Sequence, residues 1–158
     1  MSETDRESDP EGEDAESDEW LEEVIRARGH ENVRAEHGST FEVTTDDYLT
    51  PAGDCILAIE ADRAPADFAP EFVDACQDES ATISVTIEAG GHLESVTGRG
   101  HPDLELSDER SAVGRTSDYV DDRTVLVGAE FAAEGFDRDL VEALRSGAEA
   151  TVTIVVEP

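Results

Sequence analysis

The chain has 158 residues, enough for one domain with a real core but short for two. It carries 41 Asp and Glu against 11 basic side chains, every one an Arg, for a formal net charge of -30. Such a charge disfavours nucleic acid, whose affinity rests on Lys and Arg contacts to phosphate, and the longest apolar runs, Cys55–Ile59 and Val125–Val127, fall far below the roughly 20 residues of a membrane-spanning helix.

Self-repulsion at this charge destabilises a compact state at low ionic strength. At molar salt the Debye length shrinks to about 3 Å, and the same carboxylates hardly sense one another. Acidic excess spread along the chain, no Lys and few aromatics therefore point to a salt-filled cytoplasm, that of a halophile and most naturally an archaeon. Two cysteines, Cys55 and Cys76, without an export signal fit free thiols in a reducing cytoplasm.

Residues 1–19 hold ten acidic side chains, one Arg and no aromatic or β-branched aliphatic residue. Such a stretch cannot bury enough apolar surface to offset its ordering entropy, which predicts a disordered acidic tail and a domain over 20–158. The first strand runs to Arg28 from about Val24, and a second follows at Phe41–Thr44. A third, Cys55–Glu60, is mainly apolar, as expected of a strand covered on both faces. Pro70 then opens a short helix whose Phe72, Val73 and Cys76 form one stripe. Alternating Ile83, Val85 and Ile87 mark a strand, and Gly90 and Gly91 make a hairpin turn into the next one, Ser95–Arg99. Beyond it come a weak strand near Ala112–Gly114, an apolar one at Thr124–Gly128, and a helix with Asp137 as N-cap, Leu140, Val141 and Leu144 as its stripe and Gly147 as its stop. The last strand alternates Val152, Ile154 and Val156.

This list repeats itself. The tripeptide Arg-Gly-His occurs at 28–30 and at 99–101, and at the same offset of 71 Thr45, Asp47 and Tyr48 fall on Thr116, Asp118 and Tyr119. After one small gap Asp54, Ala61, Phe68, Val73 and Ala75 meet Asp122, Ala129, Phe136, Val141 and Ala143, and after a second 81–87 lies on 150–156. The ordered matches imply an internal duplication, repeat one at about 20–89 and repeat two at about 92–158. The expected fold is a single pseudo-twofold α+β domain made from two β-β-β-α-β units, closed as a sheet sandwich or in a barrel-like way.

The segments "RGHENVRAEHGSTFEVTTDDYLTPAGDCILAIEAD" and "RTSDYVDDRTVLV" resemble the small archaeal family known as domain of unknown function 371. The resemblance spans nearly everything after the tail. It implies an archaeal source and brings no activity with it.

The paired signatures supply the candidate ligand-binding set: Arg28, His30, Asp47, Tyr48 and Asp54 with Arg99, His101, Asp118, Tyr119, Asp122 and Arg123. Turn chemistry alone explains Gly and Asp at strand ends, and a Tyr there would anchor a loop on the core. A turn needs no imidazole, however, and two His with several Arg meeting near a pseudo-twofold axis would make a cleft able to hold an anion. Within repeat one, His30, His37, Asp54 and Cys55 also offer the donor types of a zinc site, although repeat two has Asp108 in place of His37 and Arg123 in place of Cys55. Cys55 could alternatively act as a nucleophile with His30 or His37 as its base.

The function these residues favour is a cytoplasmic binding module for a small anionic ligand or a protein partner at an inter-repeat cleft. The alternatives are a small metal-dependent hydrolase using His30, Asp47, Asp54 and their counterparts, and an assembly protein without a small ligand. Neither the reaction, the cofactor nor the oligomeric state is encoded in a recognisable motif.

Overall fold

A computed structural model describes residues 20–158; the expected acidic tail at 1–19 lies outside them. Eight strands and two short helices form a mixed α+β fold in the order β1 (Leu21–Arg28), β2 (Thr40–Thr44), β3 (Ile56–Ala58), α1 (Pro70–Cys76), β4 (Thr82–Ala89), β5 (His92–Arg99), β6 (Ser111–Arg115), β7 (Thr124–Leu126), α2 (Arg138–Arg145) and β8 (Glu149–Glu157). A single 3-10 turn precedes each helix, at Pro65–Asp67 and at Ala133–Gly135.

The strands make two four-stranded sheets, β1-β8-β4-β5 and β3-β2-β6-β7. The first is antiparallel throughout. In the second, β2 and β6 pair antiparallel at the centre while the three-residue edge strands β3 and β7 lie parallel to them. The two sheets meet at both edges through one residue pair each, Arg28 with Ile59 and Arg99 with Val127. Those single bridges join the sheets without closing a barrel, and the barrel-like closure gives way to two open sheets over a shared core. They also explain why β3 and β7 end sooner than their apolar runs: Ile59 and Val127 turn away to pair with the other sheet.

One continuous core joins the layers. It takes Ile83, Val85, Ile87, Val152, Ile154 and Val156 from the long sheet, Phe41, Val43, Leu57 and Leu126 from the short one, and Phe72, Cys76, Leu140, Val141 and Leu144 from the helices. Each fully buried Ile or Leu contributes about 1.5–3 kcal/mol over its exposed state. The strand hardest to read in the sequence, β6, is buried at all five positions, so neither alternation nor a strong apolar run marks it. Gly114 sits there because a Cβ would lie 2.2 Å from the Phe41 ring.

The turns follow local chemistry. Gly90 and Gly91 take φ of 58° and 83° in the two-residue β4–β5 loop, as a hairpin twisted to suit its strands requires. Asp137 caps α2 by accepting from the Leu140 N–H at 3.2 Å. Ala69, at the same place on α1, has no side chain to do so, but its own N–H donates to Glu23 of β1 at 2.8 Å. Glu23 is buried and paired with Arg63 at 2.6 Å, which supplies the partner its charge needs.

Candidate functional site

The first Arg-Gly-His ends β1 and the second ends β5. In both, the Gly is a point of close approach: a Cβ on Gly29 would fall 1.8 Å from the Leu144 carbonyl oxygen, and one on Gly100 would fall 2.3 Å from that of Cys76. In both, the His closes a turn, His30 Nδ1 accepting from the Asn32 N–H at 2.9 Å and His101 Nδ1 from the Asp103 N–H at 3.0 Å. The tripeptide is thus a packing joint between a strand end and the C-terminus of a helix, used twice.

The two joints do not meet. Arg28 pairs in register with Glu149, whereas Arg99 lies opposite Thr82 and, through it, Glu157. With β1 and β5 at opposite edges and strands rising about 3.3 Å per residue, Arg28 and Arg99 stand roughly 30 Å apart, at diagonal corners of the sheet. Tyr48 and Tyr119 follow opposite ends of the β2–β6 pair and are both exposed, at 59% and 60%, rather than anchored in the core. Asp47 and Asp118 beside them are exposed too. A single cleft holding both His, both Arg and both Asp-Tyr pairs therefore does not form.

Asp54 and Asp122 act through their backbones. The Asp54 carbonyl accepts from the N–H groups of Glu36 and His37, and the Asp122 carbonyl from those of Ser107 and Asp108. The exchange of His37 for Asp108 is explained in the same way, since His37 Nδ1 accepts from the N–H of Ser39 and Thr40 while Asp108 Oδ2 accepts from those of Arg110 and Ser111. Both side chains close the turn into a strand. Cys55 is half-buried, and its thiol donates towards Glu42 at 3.5 Å. Burial, with the neighbouring Glu42 charge, pushes that thiol up to about 11, which leaves almost no thiolate at neutral pH for a nucleophile. His30, His37, Asp54 and Cys55 are not gathered; among the described residues the group of ligand atoms within 4.8 Å of one another is instead His92, Asp137 and Asp139. All three are exposed, and Asp137 is already committed as the α2 cap.

Arg123 belongs to a different arrangement. Asp121 accepts from Arg123 at 2.8 Å, from Arg115 at 2.9 Å and from the Thr124 hydroxyl at 3.1 Å. Burial alone would raise the Asp121 carboxyl, but these hydrogen bonds and the Arg115 charge bring it down to about 2. Arg115 in turn lies over the Tyr119 ring, 4.8 Å from its centroid. With Arg115 only 9% exposed, this is a structural clamp on β6 and β7 rather than an open site.

A cleft lies at the Arg28 corner. Arg26, Ala27, Arg28, Glu60, Glu149, Ala150 and Thr151 line a cleft of about 290 Å³. Arg28 reaches Glu60 at 2.8 Å, each of the two side chains about four-tenths exposed. That pairing raises the Arg28 pKa and lowers that of Glu60. Glu60 also has φ of 56°, and Gly128, which follows β7 as Glu60 follows β3, has φ of 62°. A side chain in this left-handed conformation costs about 1–2 kcal/mol. Arg26, Glu60 and Glu149 were missing from the candidates read in the sequence; a Glu aligned with a Gly at a strand end was the available signal.

Among the described residues no helix is long and apolar enough to cross a membrane. The chain is 39% identical over 136 residues to an uncharacterised protein of Methanocaldococcus jannaschii, an alignment that covers 86% of this chain and all of the relative. Its residues 25–157 match the family described as Domain of unknown function (DUF371). That match runs from within β1 to the end of β8, and the chain belongs to this family.

Proposed function

We propose that the protein is a binding module of a halophilic archaeon, and that it takes a small ligand with an anionic group in the cleft at the end of β1 and β8. The observation that carries this is Glu60: a charged side chain held in a left-handed backbone conformation where the matching position has glycine. Strain of this kind persists at functional sites because the surroundings enforce it. Arg26 and Arg28 would engage the anion by paired N–H donors, while Glu60 and Glu149 would orient a hydrogen-bonding or cationic group on the same molecule. The equivalent corner of the second repeat has Thr97, Arg99, Gly128 and Ser80, so its charged residues are largely gone.

An internal duplication underlies this asymmetry. In its support, each sheet order reads the same when β1 to β4 are exchanged with β5 to β8. Ala35 and Leu106, which are 71 residues apart, share a left-handed φ of 51° and 50°. The Arg26 N–H donates to Asp62 and the Thr97 N–H to Glu130 in the same way. A salt-rich cytoplasm is supported by the charge of -30 without Lys.

The test is thermal unfolding in multimolar KCl with inorganic phosphate, citrate and L-glutamate as probes, together with mass spectrometry of small molecules released from the purified protein. At least one probe should raise the midpoint of the native chain and of Arg99→Ala, but not of Arg28→Ala. No stabilisation by any probe and no released molecule, or stabilisation that survives Arg28→Ala, would overturn the reading.

A further inference from the structure

We infer that the outward face of the β1-β8-β4-β5 sheet is the contact surface for a second copy of this chain. Alternation along the strands turns Ile25, Ile83, Val85, Ile87, Val152 and Ile154 into the core. The other face then presents three full rows across β1, β8, β4 and β5: Arg26, Thr151, Glu88 and Leu93; Val24, Thr153, Thr86 and Ser95; Glu22, Val155, Ser84 and Thr97; a fourth row, Glu157, Thr82 and Arg99, is continued by Trp20, the residue that precedes β1. These sixteen positions hold three Glu and two Arg, in a chain with 41 acidic residues against 11 Arg. The two central rows contain one charge, Glu22, at their edge. Trp20 and Leu93, each 65% exposed, occupy diagonal corners.

A contact surface strips water from what it covers, which is costly for unpaired carboxylates, and this face has few of them; it is also complementary to itself. Turning a second copy about an axis parallel to the strands sets β1 over the partner's β5 and β8 over its β4. Trp20 then covers an Arg99, a cation–π pairing, and Arg26 covers a Leu93. Val24 meets Ser95, Thr153 meets Thr86, and Val155 meets Ser84. The three Glu fall opposite Thr97, Thr82 and Thr151, so no two like charges are opposed. Two sheets stacked face to face in this aligned way sit about 10 Å apart.

The face measures about 20 by 25 Å. Two copies would bury on the order of 1,000 Å² of flat area, at the low end of specific interfaces, which makes the dimer reversible and concentration-dependent. The cleft around Arg28, Glu60 and Glu149 shares Arg26 and Thr151 with the outermost row of this face, whereas Thr153 lies outside its lining, so a change at Thr153 tests the dimer separately from ligand binding.

The experiment is sedimentation velocity of the full chain in multimolar KCl over a wide concentration range, with Trp20 emission as an independent readout, since it is the sole Trp. The native chain should pass from monomer to dimer as concentration rises, and Trp20 emission should shift to the blue in step. Thr153→Glu, at an outward half-buried position that leaves the core untouched, should raise the dissociation constant by more than about tenfold, because the contact would bury a carboxylate without a partner. Thr153→Val should keep the dimer and controls for the site of substitution. A chain that stays monomeric at every concentration, or a dimer that Thr153→Glu leaves unchanged, overturns the proposal.

Discussion

The α-carbon of Gly29 rests against the end of α2, where any Cβ would come within 1.8 Å of the Leu144 carbonyl oxygen. The Gly29 N–H also donates to the Ala148 carbonyl at 2.9 Å, so the backbone cannot simply back away. Gly29→Ala is expected to destabilise the fold by more than about 3 kcal/mol, the scale of overpacking in a tight site. Gly100→Ala should do likewise against Cys76 and Asp78. Gly91→Ala should cost only the strain of its positive φ, having no atom within 4 Å of its Cβ. Denaturant unfolding of the three variants in high KCl checks the order.

Glu60 predicts the opposite sign. Glu60→Gly removes a left-handed side-chain strain of about 1 kcal/mol and loses only an exposed ion pair to Arg28, which solvent screening keeps weak. The variant should be as stable as the native chain or slightly more so by thermal unfolding, and it should lose the probe-dependent stabilisation that Arg28→Ala also abolishes.

Asp121 ties β6 and β7 together through a carboxyl lowered to about 2. Because its folded value lies below the ordinary carboxylate value, its contribution is fully present above about pH 4 and is lost as pH falls through about 2. Asp121→Asn should therefore lower stability by about 1–2 kcal/mol at neutral pH, and by progressively less towards pH 2. Acid titrations of the unfolding midpoint for both chains test this.

The thiols give a kinetic check. With Cys55 at about 11 and Cys76, raised by burial, at about 12, alkylation by iodoacetamide at pH 8 should be at least about a hundredfold slower than for a free cysteine. Cys55 should react faster as pH rises. Cys76, inside the core, should be modified only when the chain unfolds.

Salt dependence tests the environment read from composition. Dilution into low KCl should lower the unfolding midpoint steeply, because unscreened carboxylates repel. A midpoint indifferent to KCl would remove the halophilic reading.

The element order, the two helical stripes, the hairpin at Gly90 and Gly91 and the Asp137 cap were legible in the sequence, because each depends on residues only a few positions apart. The recurrence of Arg-Gly-His at 28–30 and 99–101 was legible as well. The place where those motifs end was not. Antiparallel register and an edge position in the sheet carry them to diagonal corners, a long-range outcome that no local spacing encodes. For the same reason the sequence alone could not separate a backbone role for Asp54 from a side-chain one, or foresee that His37 and Asp108 close the same turn. The cleft of Arg26, Arg28, Glu60 and Glu149 joins residues from three distant segments, and the open sheet face is assembled from four strands. Both exist only once pairing brings those segments together.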